Sequence, residues 1–179
     1  MKKFELVEDM SISFLGRKLF RIRSLVDFTT KWGETIHAGD LGGYLEKEEN
    51  LSHDGDAWVY GDAWVYGNAR VFGNASVYGD ARVFDNAWVY GNARVYGDAW
   101  VYGKGHILTV GPIGSRNETT TFFRDKNGEI SVVCGCFYGN IDDFLKKVEK
   151  THGDNKHAKA YRAAAELARI QIDLAKEEG

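Results

Sequence analysis

Small, aromatic and polar residues recur with a fixed period of six between Gly55 and Leu108. The nine consecutive units read GDAWVY, GDAWVY, GNARVF, GNASVY, GDARVF, DNAWVY, GNARVY, GDAWVY and GKGHIL. A fixed period predicts a stacked repeat, because one unit cannot bury a face alone. Within a strand, Ala57 and Val59 share the inner face, whereas Trp58 takes the outer face. Gly-Asp and Gly-Asn are expected to form the corners, since these residues tolerate positive φ.

The inner alanines and valines fill only a narrow interior, so the period predicts a prism of short strands joined by tight corners. The units resemble the hexapeptide repeats of left-handed parallel β-helix proteins, in which three units form one triangular coil. For nine units this resemblance implies about three coils. It also implies the left hand, although crossovers between parallel strands are usually right-handed. We therefore expect a mainly β protein built on a left-handed parallel β-helix.

Stacking at eighteen residues places outward side chains above one another in ladders. The predicted ladders at the sixth position are Tyr60, Tyr78 and Tyr96; Tyr66, Phe84 and Tyr102; and Phe72, Tyr90 and Leu108. At the fourth position they are Trp58, Ser76 and Arg94; Trp64, Arg82 and Trp100; and Arg70, Trp88 and His106. Arginines among the rings are expected to stack over them.

These ladders are too apolar to remain uncovered. Each aromatic side chain can bury roughly 150–250 Å², so bare ladders would exceed the roughly 300–600 Å² patch usual on a monomer. We expect the rest of the chain, including the long C-terminal helix, or other subunits to cover them. We predict a homo-oligomer, with a trimer as one possibility. In the alternative interpretation, some of the rings contact a ligand.

Residues 1–54 are predicted to form an N-terminal β cap. Residues 4–7 form a short strand, a hairpin turns at Gly16-Arg17, and residues 50–53 are a degenerate unit that leads into the repeat. A cap is required because the end of a β-helix exposes unpaired strand edges and its apolar interior. The GDLGGYLEKEENLS stretch is similar to the start of prophage-encoded hexapeptide-repeat proteins.

The predicted β-helix spans residues 55–113, and a C-terminal α+β domain spans residues 114–179. The pattern decays through residues 109–113, a possible tenth, broken unit that holds the only proline. Strands at residues 119–124 and 129–135 then flank an Asp-Lys-Asn-Gly hairpin turn. Asn140 caps a first helix that Gly153 ends, and a second helix runs from residue 154 or 155 to about Glu177. This part also resembles those prophage and phage proteins, a resemblance that covers nearly the whole chain and implies no activity.

Composition excludes several function classes. A formal charge of −3 without a basic cluster argues against binding to duplex nucleic acid. No signal segment and no apolar run of eighteen residues is present, so we expect a cytoplasmic protein without a membrane partner. Cys134 and Cys136 form Cys-Gly-Cys, which is too short for the usual zinc or redox pair, and buried or structural thiols are the preferred interpretation.

The sequence does not favour an enzyme. Hexapeptide acyltransferases resemble one another in a general-base histidine at a subunit cleft and in a loop inserted between units. Here the nine units run without an insertion, and His106, the only histidine in them, is predicted to face outward. A cysteine nucleophile paired with His152 lacks a supporting motif. The histidines are scattered, so neither a metal site nor a cofactor is predicted. An acyltransferase with an interface active site is the enzyme alternative.

Binding is the remaining function class, and the junction after the repeat gathers suitable side chains. The candidate ligand-binding residues are Ser115, Arg116, Asn117, Thr119, Thr121, Arg124, Tyr102 and His106. Guanidinium groups and hydroxyls suit a phosphate or carboxylate, and a neighbouring ring can stack on a base. We therefore predict a non-catalytic protein that binds a small anionic, nucleotide-like ligand. The resemblance to phage proteins suggests a more specific hypothesis, in which the protein sequesters a host defence signal.

Two further interpretations stay in competition with this one. The junction residues could simply tie the hairpin to the end of the β-helix, with the arginines in surface ion pairs. Alternatively, the protein is a structural or interaction module whose aromatic faces bind a protein partner. The binding and interaction hypotheses differ in whether Arg116 and Arg124 converge on one pocket.

Overall fold

The computed structural model describes residues 1–175. Its N-terminal hairpin pairs β1 (Phe4–Phe14) with β2 (Arg17–Ser24) around a turn in which Leu15 and Gly16 both have positive φ. The predicted strand at residues 4–7 is the first part of β1, which continues past a register shift between Val7 and Ser11. A small hairpin of β3 (Phe28–Thr29) and β4 (Thr35–Ile36) follows. Strand β5 (Leu41–Leu45) then pairs antiparallel with β2.

The repeat folds into a solenoid of two-residue strands. These strands are β6 (Trp58–Val59), β7 (Trp64–Val65), β8 (Arg70–Val71), β9 (Ser76–Val77), β10 (Arg82–Val83), β11 (Trp88–Val89), β12 (Arg94–Val95) and β13 (Trp100–Val101). They pair in parallel with partners eighteen residues away, as predicted. The inner alanines and valines are at most 1 % exposed, which confirms a narrow, fully packed interior. The hand of the coil stays a prediction.

The solenoid begins earlier than the perfect units. Strand β5 pairs in parallel with β7, with Leu45 opposite Val65, and Leu51 forms a parallel bridge to Val71. The predicted degenerate unit at residues 50–53 is therefore confirmed. Because the N-terminal segment supplies two sides of the first coil, about three turns form even though the last unit contributes none.

The ninth unit does not form a solenoid strand, so its prediction was wrong. Residues Lys104–His106 form a 3₁₀ turn, and β14 (Ile107–Ile113) pairs antiparallel with a later strand. Gly105 stands where other units have an inward alanine, so this unit lacks that buried side chain. The broken tenth unit at residues 109–113 is also wrong, because these residues belong to β14, in which Gly111-Pro112 is a cis peptide bond.

The C-terminal part is a four-stranded antiparallel sheet with two helices. Strand β14 is followed by β15 (Glu118–Arg124), β16 (Ile130–Cys134) and β17 (Phe137–Asn140), in that order across the sheet. The predicted Asp-Lys-Asn-Gly hairpin is confirmed as β15 and β16. The sheet is wider than predicted, because β14 and β17 join its two sides.

Helix α1 (Ile141–His152) and helix α2 (Lys156–Gln171) close the chain. Asn140 caps α1 by accepting from the amide of Asp143 at 2.8 Å, and Gly153 ends it, as predicted. Helix α2 ends at Gln171, before the predicted Glu177, which lies outside the described residues. The helices pack on the C-terminal sheet around Phe122, so the prediction that α2 covers an aromatic ladder was wrong.

We number the three solenoid faces by their aromatic ladders. Face 1 carries Tyr60, Tyr78 and Tyr96; face 2 carries Tyr66, Phe84 and Tyr102; and face 3 carries Phe72 and Tyr90. Adjacent rings within each ladder stack 4.1–5.3 Å apart. Leu108 does not continue the third ladder, because β14 carries it into the C-terminal core.

The chain itself covers two of these faces. On face 1, Tyr78 donates to Glu34 at 2.6 Å, and Trp32 lies 4.1 Å from the Arg94 guanidinium. On face 2, the Phe14 ring contacts Trp64 at 5.1 Å. On face 3, Trp88 and Tyr90 remain 37 % and 53 % exposed. The predicted stacking of arginines is confirmed, for example in Arg82, which lies 4.2 Å over Trp64.

Side chains replace missing backbone donors at the N-terminal edge of the solenoid. In later coils the carbonyls of Gly73 and Ala75 accept from the preceding coil. The equivalent carbonyls of the first coil, on Gly55 and Ala57, accept from the buried Lys3 ammonium at 3.0 and 2.8 Å. On face 3 the fully buried Asn50 does the same for the carbonyls of Gly67 and Ala69. The N-terminal cap therefore satisfies the first coil as well as shielding it.

Candidate functional site

A surface cavity of about 270 Å³ lies where the β16–β17 turn meets the two helices. Its lining includes Ser115, Arg116, Cys136, Phe137, Lys147, His152 and Tyr161. The side chains thus come from the turn after β14, the Cys-Gly-Cys turn, and both helices. We call this cavity the Arg116 cavity.

Two glycines let the backbone approach closely enough to form this cavity. Gly114 has φ +73°, and a Cβ there would clash with the Tyr161 hydroxyl. Gly135, at the centre of the Cys-Gly-Cys turn, has φ +58°, and a Cβ there would lie 3.3 Å from Nη1 of Arg116. Arg116 therefore lies across this turn. Asn117 occupies the left-handed region at φ +55°, which closes the turn before β15.

The Arg116 cavity is positively charged. Arg116 and Lys147 are both exposed, and neither forms an ion pair among residues 1–175. No aspartate or glutamate is among the residues that line the cavity. Two cations that are not neutralised locally raise the potential of a concave site and so attract anions.

Tyr161 supplies a neutral hydroxyl to the same cavity. Burial raises its pKa to about 12, the neighbouring Cys134 adds to the rise, and Arg116 opposes it. The phenol therefore keeps its proton at neutral pH. Phe137 and Phe144 lie 5.6 Å apart at one wall, and Phe144 packs edge-on against Tyr161. The cavity thus combines cations, a hydroxyl donor and aromatic surface.

The two cysteines differ in environment. Cys134 is half-buried, and its Sγ accepts from the Thr120 hydroxyl at 3.3 Å. Cys136 is exposed at the cavity, which the expectation of buried or structural thiols did not anticipate. Both are free thiols, so Cys136 offers the cavity an accessible sulfur.

The structure does not bring Arg124 to Arg116. Arg124 ends the seven-residue strand β15, whereas Arg116 precedes its start, so the two lie about 20 Å apart along the strand. The Arg124 side chain is buried, with its guanidinium 5.0 Å from the Tyr102 ring. The two arginines therefore do not converge on one pocket, which counts against a ligand site built from both, and Arg116 is the one of the two that lines the cavity.

Most of the other candidate residues support the fold. Thr121 is buried, and its hydroxyl accepts from the amide of Arg94 at 3.1 Å. Thr119 packs against Gly111 of β14. Only Ser115 and Arg116 among the predicted residues line the cavity.

His106 is buried rather than outward-facing, so that prediction was wrong. Its Nδ1 accepts from the amides of Tyr102 and Gly103 at 3.3 and 3.1 Å, which stabilises the turn out of the solenoid. The imidazole on which the acyltransferase alternative depended is therefore engaged in a backbone turn.

Sequence reasoning missed the helical contribution to the cavity. Lys147 lies three residues after the buried Phe144 and His152 is the last residue of α1, so both border the apolar stripe that packs on the sheet. The helical spacing of these residues can be recognised in the sequence. The sequence does not show, however, that the Cys-Gly-Cys turn lies opposite helix α1. None of the helices within residues 1–175 is long and apolar enough to cross a membrane.

Comparison with known proteins supports the architecture. The family model described as the YdcK beta solenoid repeat matches residues 63–78, 75–91 and 87–103. These stretches lie within the solenoid, so its coils are similar to that repeat. The comparison with curated proteins gave no match.

Proposed function

We propose that this protein is a non-catalytic binding protein that holds a small anionic ligand in the Arg116 cavity. The observation that carries the proposal is the pairing of Arg116 and Lys147, two cations without carboxylate partners among the described residues, around one concave site. A guanidinium binds phosphate or carboxylate oxygens in a bidentate manner, and an ammonium adds a second point charge.

The shape of the cavity limits the ligand. A volume of about 270 Å³ is just below the roughly 300–1,000 Å³ that is typical of small-molecule sites. It therefore favours a compact compound, no larger than a mononucleotide, or one nucleotide of a larger molecule. The Phe137 ring offers a surface on which a base can stack, while Tyr161 can donate a hydrogen bond. The phage resemblance of the sequence supports the specific form in which the ligand is a host defence signal that the protein sequesters.

A calorimetric titration tests the proposal with two matched probes, adenosine and adenosine 5′-monophosphate. The monophosphate is expected to bind, and adenosine to bind much more weakly, because only the former carries an anion for Arg116 and Lys147. Arg116→Ala should weaken binding of the monophosphate by about 10- to 100-fold, from the loss of a charge-assisted interaction of about 1.5–3 kcal/mol.

Arg169→Ala is the matched control, because Arg169 is exposed on α2 and pairs with Asp142 at 2.7 Å, outside the cavity. It should leave affinity unchanged. Equal affinity of the native protein for adenosine and its monophosphate would contradict an anion site. Equal loss in both variants would show that the effect of Arg116→Ala is not local.

A structural or interaction module is the second candidate function. The rings of face 3 favour it, since the chain covers the other two faces and leaves Trp88 and Tyr90 37 % and 53 % exposed. Self-association through this face is one form of that alternative.

A further inference from the structure

The last solenoid strand on face 3 has an unpaired edge. Among residues 1–175, strand β11 is the terminal strand of a two-stranded sheet and pairs only with β8. The carbonyls of Ala87 and Val89 accept from β8 and its flanking residue Phe72, so Trp88 and Tyr90 direct their amides to the other side. Within residues 1–175, those two amides have no hydrogen-bond acceptor.

The other two faces are capped at this end by the chain. On face 1, the amide of Arg94 donates to Thr121. On face 2, the carbonyl of Asp98 accepts from the Lys126 amide at 2.9 Å, and Ala99 forms an antiparallel bridge to Asp125. Face 3 lacks its cap because the 3₁₀ turn at Lys104–His106 diverts the ninth unit from the position that would pair with β11.

A groove of about 340 Å³ occupies the position that the missing strand would fill. Its floor and walls include Trp88, Tyr90, Lys104, Leu108 and Thr109. Strand β14 is an end strand of its own sheet, and its residues Leu108 and Thr109 line the groove together with Trp88 and Tyr90. An occupant that pairs with the edge of β11 therefore also contacts β14.

The charges beside the groove are basic. The Lys104 ammonium lies 4.1 Å over the Trp88 ring, and Arg70 is exposed next to Trp88 in the register of face 3. Neither cation has a carboxylate partner within residues 1–175. No acidic residue is among those lining the groove. An occupant with carboxylates would complement both cations.

We propose that this groove is a docking site for an extended, acidic segment of a partner polypeptide, which adds as a strand to the edge of β11. The amides of Trp88 and Tyr90 lie two residues apart along the edge. An extended peptide presents carbonyl groups at the same spacing, so it can accept from both amides. Apolar side chains of the segment contact Trp88 and Leu108, and its carboxylates lie toward Lys104, while Arg70 on the other side of β11 adds to the positive potential. This site is separate from the Arg116 cavity and does not depend on the ligand proposed there.

The test titrates the full chain, labelled with ¹⁵N, with an octapeptide of alternating valine and glutamate. We expect saturable chemical-shift changes at the Trp88 and Tyr90 amides, together with slower hydrogen exchange at both. A peptide that is N-methylated at alternate residues should bind at least about tenfold more weakly, because its methyl groups keep its carbonyls from approaching the Trp88 and Tyr90 amides closely enough to accept from them. A valine–lysine peptide should also bind more weakly.

Lys104→Glu should weaken binding of the valine–glutamate peptide at least about fivefold and improve binding of the valine–lysine peptide. Lys159→Glu, at an exposed position of α2, is the matched control and should change neither. Absence of saturable binding at about 1 mM peptide, or equal binding of the N-methylated peptide, would overturn the proposal. So would sedimentation as a dimer that Trp88→Glu dissociates, because a second copy would then fill the groove.

Discussion

Asn50 is expected to be among the most sensitive positions in the solenoid, although it precedes the perfect repeat. It is fully buried, and its Nδ2 donates to the carbonyls of Gly67 at 3.2 Å and Ala69 at 2.9 Å. Its Oδ1 accepts from the amide of Lys47 at 3.0 Å. One side chain therefore satisfies three backbone groups at the first edge of face 3.

Asn50→Ala removes these bonds and leaves the two carbonyls without their donor. An unsatisfied buried polar group costs about 1–3 kcal/mol, so the free energy of unfolding should fall by about 2–5 kcal/mol. This is a large part of a typical total of about 5–15 kcal/mol. At a urea dependence of about 2 kcal/mol per molar, the midpoint should fall by about 1–2.5 M. Urea unfolding followed by tryptophan fluorescence measures this shift.

Asn68→Ala makes the same chemical change at an exposed corner and should alter the free energy of unfolding by less than about 0.5 kcal/mol. Asn50→Asp keeps the shape but places a carboxylate against two carbonyls. It should therefore destabilise strongly at pH 7 and less at pH 4, where protonation restores one donor. Equal midpoints for Asn50→Ala and Asn68→Ala would refute the assignment of Asn50 as the edge donor.

Two further predictions concern charge at the solenoid edges and corners. Burial lowers the pKa of Lys3 to about 8, so the unfolded state binds more protons between pH 8 and 10, and the free energy of unfolding should rise over that window by about 1–3 kcal/mol. Lys3→Met should lack this rise. If urea midpoints of the native protein and of Lys3→Met change in parallel between pH 8 and 10, the pH dependence does not come from Lys3. Asp80 falls between Asp62 and Asp98 in the eighteen-residue register, but Asp62 pairs with Arg21 at 3.0 Å and Asp98 pairs with Lys126 at 2.8 Å. Asp80→Asn should therefore change the free energy of unfolding by less than about 0.5 kcal/mol, and a larger change in the urea midpoint would show that these cations do not neutralise the corner.

The period of six predicted the solenoid because every inner position is small and every corner can take its required backbone conformation. For example, the eighteen-residue spacing correctly placed Trp64, Arg82 and Trp100 opposite one another in adjacent parallel strands. The misread ninth unit shows the limit of such a pattern. Its glycines, lysine and histidine fit the outline of a unit, but Gly105 provides no buried methyl, and the His106 ring stabilises a turn that leaves the coil.

The caps and the candidate site could not be predicted to the same extent. Lys3 and Asn50 act on carbonyls more than ten residues away, and nothing local in the sequence indicates such contacts. The cavity joins Arg116 to Lys147 through helices that pack on the C-terminal sheet, which is also a long-range arrangement. Arg116 and Arg124 were both predicted to bind the ligand, although the predicted strand at residues 119–124 already separates them, since six extended residues span about 20 Å.

Native mass spectrometry of the protein purified from cells tests the proposed anionic ligand most directly. We expect a small anionic compound that accompanies the native protein, is released on denaturation, and is absent from Arg116→Ala. Arg169→Ala should retain it. A compound held equally by the native protein and Arg116→Ala, or no compound with either protein, would contradict ligand binding in the Arg116 cavity.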